Sequence, residues 1–175
     1  KVQVEGLDVA KDGPLLLFVR HSSTADTVLA ATLVANPHKL LLKYVLKREL
    51  LWDPCLDIVG QRLPNAFIDR KAPKREGELQ AVLQLAENLN ERLAVLIYPE
   101  GTRFSESKQK KILKSMQDKG MNELLEIAQS FQMVLPPKLG GPLGLMEAAP
   151  GVDIVLLEHS GFEGAANFSR FWNGA

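Results

Sequence analysis

The chain has 175 residues, with 21 Lys plus Arg balanced by 21 Asp plus Glu, and a single cysteine. Balanced charge excludes the strong positive field of a general nucleic-acid binder, so no nucleic-acid partner is expected, and one cysteine excludes an internal disulfide or a cysteine-cluster zinc site. The length fits a single domain over residues 1–175, which buries roughly two thirds of the surface its unfolded chain exposes.

Val2 and Val4 alternate with polar neighbours and read as an edge strand, followed by a turn at Asp12-Gly13-Pro14 and a buried strand over Leu15–Val19. From Asp26 the residues are apolar on nearly all sides up to Asn36-Pro37, which predicts a buried helix. A strand is expected at Leu40–Tyr44 and a short helix around Asp57–Gln61, preceded by Cys55, which reads as a core residue. Ala66–Ile68 reads as a strand. Leu79, Val82, Leu83, Ala86 and Leu89 have helical spacing and predict an amphipathic helix over Glu76–Arg92. A buried strand follows at Leu93–Ile97, then helices near Ser107–Gln117 and Asn122–Phe131, a short helix at Leu143–Ala148 and a strand at Val152–Leu157. Strands alternating with helices imply an α/β fold with a mixed, mostly parallel sheet flanked by helices.

No stretch reaches the ~18 apolar residues of a membrane-spanning helix, and the N-terminus lacks a signal-peptide layout. The chain reads as soluble or peripheral. Because it starts at Lys1 without Met, it also reads as a domain that a longer chain with a membrane anchor could contain.

In α/β folds ligands gather outside the carboxyl ends of the strands. His21 follows Val19, Arg70 follows Ile68 and Glu100 follows Ile97, so three predicted strand ends deliver polar groups to one region. A neutral imidazole accepts a proton near pH 7, and a carboxylate on its other nitrogen fixes the tautomer. His21 with Asp26 has the makings of such a dyad, while Asp26 equally suits a helix N-cap. Arg70 and Arg103 are forked cations suited to bidentate phosphate binding. Glu100-Gly101 reads as a tight turn in which Gly101 allows positive φ or close approach and Glu100 accepts hydrogen bonds that order the loop. Ser22 and Ser23 read as loop hydrogen bonders, because the chain has no Gly-x-Ser-x-Gly elbow. Two basic runs, Lys71, Lys74, Arg75 and Lys108, Lys110, Lys111, Lys114, read as solvated surface or as contacts to anionic head groups.

These motifs together resemble the PlsC-type glycerolipid acyltransferases, the family of 1-acylglycerol-3-phosphate acyltransferases. The family pattern Asn-His-x-Ser-x-x-Asp is matched by His21, Ser23 and Asp26, with Arg20 in place of Asn. The block ending Phe-Ile-x-Arg is matched by Phe67, Ile68 and Arg70, with Pro64 where Gly is common. Phe-Pro-Glu-Gly-Thr-Arg is matched by Tyr98, Pro99, Glu100, Gly101, Thr102 and Arg103, and Val134-Leu135-Pro136-Pro137 stands where a loose apolar-proline block follows. Lys47-Arg48-Glu49-Leu50 also resembles the family's segment before the second block. The resemblance implies transfer of an acyl group from acyl-CoA or acyl carrier protein to the free hydroxyl of a lysophospholipid, foremost lysophosphatidic acid, without an acyl-enzyme. It assigns His21 as base, Asp26 as its orienting partner, and Arg70 and Arg103 to the acceptor phosphate, with Glu100, Gly101 and Thr102 in the substrate-binding loop. It requires no cofactor beyond the thioester co-substrate and no metal, and it places the protein at the cytoplasmic side of a membrane, peripheral or anchored.

Two other readings compete. Arg20-His21 and Glu158-His159 also resemble the paired histidines of histidine phosphatases, in which His21 is a nucleophile and His159 its partner; otherwise His159 reads as a strand-end residue at the sheet rim. A non-catalytic lipid-binding domain on the same fold is the other alternative.

Overall fold

Five consecutive apolar residues cannot leave one face to water, so Leu15–Val19 has to be covered on both sides. The computed structural model describes residues 3–23, 25–69 and 76–162. In it Leu15–Val19 forms β1, joined by β2 (Leu41–Lys47), β3 (Ala66–Ile68), β4 (Leu93–Ile97) and β5 (Asp153–Leu157) in one sheet of order β3-β2-β4-β1-β5. Every pairing is parallel, so among the described residues the sheet is uniformly parallel rather than mixed. Val19 stands opposite Leu157, and Phe18 opposite Ile97, which brings the ends of β4, β1 and β5 side by side.

Each face of the sheet has its own core. Leu15, Leu17, Val19, Leu42, Ala94 and Leu96 pack against Ala30, Val34 and Ala35. On the opposite face Leu16, Val95, Ile97 and Ala66 meet Val82, Leu85, Ala86, Leu145 and Ala149. The result is a three-layer α/β/α stack, each buried large side chain contributing about 1.5–3 kcal/mol.

The first covering helix begins as α1 (Asp26–Leu29), passes through a π-helical stretch (Ala30–Ala35) and finishes as α2 (Asn36–His38), one residue past the expected proline stop, where Lys39 turns to φ 56°. On the other face lie α4 (Glu76–Leu83) and α7 (Gly140–Ala148). The helix predicted to reach Arg92 ends earlier: a 3-10 turn over Gln84–Ala86 follows α4, after which Glu87 is extended and Asn88 takes φ 53°. Leu89 still packs on the core from this loop, which is why the apolar period outlasts the helix. Buried Lys43 of β2 donates to the carbonyls of Leu85 and Glu87, each at 3.0 Å, supplying donors to the open end of that turn.

Three further expectations are corrected or sharpened. Gln3 to Gly6 form no strand; Leu7–Ala10 makes a 3-10 turn that packs Leu7 and Ala10 on the first core, and Val2 lies outside the described residues. Cys55 is exposed, not buried. It sits in the first turn of α3 (Pro54–Arg62), where Asp53 caps its N–H at 2.9 Å, and the only buried residue of that helix is Gly60. Finally α5 (Glu106–Asp118) and α6 (Asn122–Gln129) form a hairpin outside the sandwich, α5 burying none of its residues. Among the described residues no helix is long and apolar enough to cross a membrane.

Candidate active site

The three adjacent strands β4, β1 and β5 end at one edge of the sheet, and His21, Glu100 and His159 stand two or three residues beyond them. The turn after β1 folds Asp26 back over its own loop. Its Oδ2 accepts from the N–H groups of Ser22 (2.6 Å) and Ser23 (2.8 Å) and lies 3.1 Å from His21 Nδ1, while Oδ1 accepts from Ser23 Oγ at 2.5 Å. Ala25, not Asp26, occupies the cap position of α1, so the carboxylate serves the His21 loop rather than the helix terminus.

Asp26 is completely buried. Burial pushes its carboxyl pKa up, but donors from His159, His21 and Ser23 outweigh that and hold it well below the usual carboxylate range. As an ionised group it accepts only, so His21 carries its hydrogen on Nδ1 and leaves the Nε2 lone pair free. The His21 side chain is 15 % exposed, enough for a ligand to reach it. Tyr98 lies stacked on the imidazole, ring centroids 4.3 Å apart, and its hydroxyl donates to the Asp26 carbonyl at 3.2 Å. Burial, then the negative charge of Asp26, raise the Tyr98 phenol above its ordinary range, so it remains a neutral donor.

Glu100 is buried beside this dyad. Oε1 accepts from the His21 N–H and Oε2 from the Leu135 N–H, both at 2.8 Å, which fastens the His21 loop to the segment before α7. Burial raises its pKa; the two N–H groups, and after them the Arg20 guanidinium, oppose the rise. The chain after Glu100 turns sharply: Gly101 has φ 68°, and a Cβ there would meet the Lys138 side chain at 3.1 Å. Lys108 Nζ then donates to Thr102 Oγ1 (3.0 Å) and to the Arg103 carbonyl (2.8 Å), and the Phe104 N–H returns to the His21 carbonyl at 2.8 Å. Lys108 therefore faces the loop rather than solvent, whereas Lys110, Lys111 and Lys114 are exposed. Arg103 is half-buried and its charge reaches Tyr98.

Replacing Glu100 by Gln is expected to destabilise the fold by about 1–3 kcal/mol, because the amide nitrogen would face one of two buried N–H donors and leave it unsatisfied. Urea unfolding of the two proteins measures it.

The structure thus brings together His21, Asp26, Glu100, Gly101, Thr102 and Arg103. Arg70 lies outside the described residues, as do Lys71, Lys74 and Arg75. His159, read from the sequence as a rim residue, instead sits inside the site with Nε2 3.0 Å from Asp26 Oδ1. Arg20, standing where the family pattern has Asn, donates from Nη1 to the His159 carbonyl and from Nη2 to the Met133 carbonyl at 3.0 Å. A signal for His159 was present: it stands two residues past β5, as His21 stands two past β1, on paired parallel strands.

The family model described as Acyltransferase matches residues 1–140. The chain belongs to the acyltransferase family. That match spans His21, Asp26 and the 100–103 loop and ends before β5. The chain is 29 % identical over 92 residues to the 1-acyl-sn-glycerol-3-phosphate acyltransferase epsilon of Mus musculus, covering 52 % of the present chain and 25 % of that protein. It is 34 % identical over 108 residues to the 1-acyl-sn-glycerol-3-phosphate acyltransferase of Pseudomonas aeruginosa, covering 59 % of the chain and 38 % of the relative. The matches therefore span between a quarter and two fifths of the length of these curated relatives. No solved structure matches the chain. The resemblance to glycerolipid acyltransferases is borne out, and the phosphatase reading falls: His21 and His159 flank a buried carboxylate, which would repel a phosphoryl group between them.

Proposed function

We propose that the domain transfers a fatty acyl group from an acyl thioester, acyl-CoA or acyl carrier protein, to the free hydroxyl of lysophosphatidic acid, giving phosphatidic acid. The observation that carries this reading is the His21–Asp26 contact of 3.1 Å, with the imidazole partly open to solvent at the strand ends. His21 Nε2 takes the hydroxyl proton as the acceptor oxygen attacks the thioester carbonyl. The new C–O bond forms, the C–S bond breaks, and the proton leaves with the thiolate as free thiol. Asp26 holds the Nδ1–H and stabilises the imidazolium that forms, an arrangement that contributes ~10²–10⁴-fold. Arg103 and Arg70 hold the acceptor phosphate as bidentate donors, which fixes the attacking hydroxyl near the base. No residue here needs a metal or an organic cofactor for this transfer.

Both the acceptor and the product are lipids, so the domain works peripherally at a membrane surface on the cytoplasmic side. The exposed Lys110, Lys111 and Lys114 of α5 meet anionic head groups at ~1 kcal/mol per charge.

The test is incubation with palmitoyl-CoA or palmitoyl-carrier protein and isotopically labelled lysophosphatidic acid, with phosphatidic acid followed by mass spectrometry. Formation of phosphatidic acid supports the proposal. Turnover with another lysolipid alone replaces the acceptor, and lipid binding without turnover supports the non-catalytic alternative. Arg103→Ala is expected to raise KM for lysophosphatidic acid ~10–100-fold, the equivalent of one hydrogen bond between charged groups. A lysolipid lacking a free phosphomonoester should show a smaller change.

A further inference from the structure

His159 lies beyond the residues that match the family, yet its imidazole is 93 % buried against the dyad, its side chain retaining 7 % exposure. We propose that His159 is a positioning residue of the transfer reaction, which holds the second oxygen of Asp26 and divides the carboxylate's charge between two imidazoles. This rests on the acyl-transfer reading of the same site.

Three donors converge on Asp26 Oδ2: His21 Nδ1, Ser22 N and Ser23 N. Among the described residues Oδ1 has Ser23 Oγ and His159 Nε2. The terminal carboxylate torsion is broad and roughly two-fold, so contacts on both oxygens are what stop the group from turning. A fully buried carboxylate also needs its lone pairs filled by protein, since no solvent reaches them. Because an ionised carboxylate only accepts, His159 carries its hydrogen on Nε2. At 3.0 Å this is a charge contact without hydrogen-bond geometry, and both ring nitrogens are buried with no hydrogen-bond partner among the described residues, so the approach to Asp26 is what engages the imidazole.

The segment bearing His159 is held in place independently of the ring. The Arg20 N–H donates to the Leu157 carbonyl at 3.0 Å and the Arg20 guanidinium donates to the His159 carbonyl. Phe162 packs edge-on against the imidazole at 5.6 Å. Packing and backbone contacts thus fix the loop, and the ring nitrogen is left to act on Asp26.

The titratable and charged groups around the dyad among the described residues are His159 after β5, Arg20 and His21 after β1, and Tyr98, Glu100 and Arg103 after β4. Of these His159 and His21 alone touch the carboxylate with their side chains. Removing the His159 N–H leaves the whole charge of Asp26 facing His21. The imidazolium of His21 is then favoured, and the free base needed for transfer appears at higher pH.

The test compares wild type with His159→Phe, which keeps ring packing on Phe162, and His159→Gln, which keeps an N–H. Acyl transfer is followed across pH, and His21 is titrated by NMR in the same proteins. His159→Phe is expected to lower kcat ~10–100-fold with KM unchanged, the rate equivalent of one hydrogen bond to a charged group. Its acid limb and the His21 titration should both move to higher pH, and His159→Gln should restore both. A Phe variant with wild-type kcat, or with lowered kcat and unmoved titrations, overturns the proposal. If wild type transfers no acyl group the functional reading fails, and the His21 titration still decides the role of His159.

Discussion

Replacement of His21 by Ala is expected to lower acceptor-dependent acyl transfer by ~10²–10⁴-fold, the contribution of a positioned general base. The fold should survive almost unchanged, for a reason visible in its contacts. What ties this position to the structure is main chain: its N–H donates to Glu100 and its carbonyl accepts from Phe104. Alanine keeps both. The side chain adds the Asp26 contact and the stack on Tyr98, so its loss removes a base without opening the core. Steady-state kinetics beside thermal unfolding separates the two effects: kcat falls while KM for the thioester and the unfolding temperature stay close to wild type. Equal losses of activity and stability would mean that His21 is structural.

Asp26→Asn should damage both properties. An amide presents one acceptor oxygen and a donor NH₂, and its nitrogen would face either the Ser22 and Ser23 N–H groups or the Ser23 hydroxyl and His159. Breaking a buried charged cluster from one side costs about 3–5 kcal/mol. With the wrong hydrogen-bond partner, His21 takes the wrong tautomer, and the rate falls by ~10³–10⁴-fold as in other carboxylate-oriented histidines. The sign of the pH dependence follows from the depressed acid. Asp26 stabilises the fold fully above its unfolded value of about 3.9 and loses that stabilisation as pH falls through its lower folded value. The stability gap between wild type and Asp26→Asn should therefore be widest near neutrality and shrink on acidification below about pH 4. Glu100 contributes in the opposite sense. Its folded pKa is raised, so its contribution is fully present below about 4.3 and is lost as pH rises through the folded value.

Much of this was legible from residue patterns, for identifiable reasons. Leu15–Val19 and Leu93–Ile97 are unbroken apolar runs because both faces of a central parallel strand are covered, and both appear where expected. The strand ends then fix where His21 and Glu100 emerge. The missed features depend on tertiary partners. Leu89 continued a helical period from a loop, since packing on the core does not require the residue to be helical. Cys55 read as core by residue type, yet it occupies the first turn of a peripheral helix. Asp26 as cap or dyad partner could not be settled by spacing, because the deciding donors, Ser22 N and Ser23 N, depend on how the loop closes. His159 was paired with His21 only in the phosphatase alternative, and its contact with Asp26 was hidden by distance along the chain: the two stand 133 positions apart, and the parallel pairing of β1 with β5 brings them together.

The most direct test of the account is free-thiol release from a long-chain acyl-CoA, or from acyl carrier protein, with and without lysophosphatidic acid, in wild type and His21→Ala. Release is expected to require the acceptor and to disappear in the variant. Release of thiol without acceptor, or acceptor-dependent release that survives the loss of His21, would contradict it.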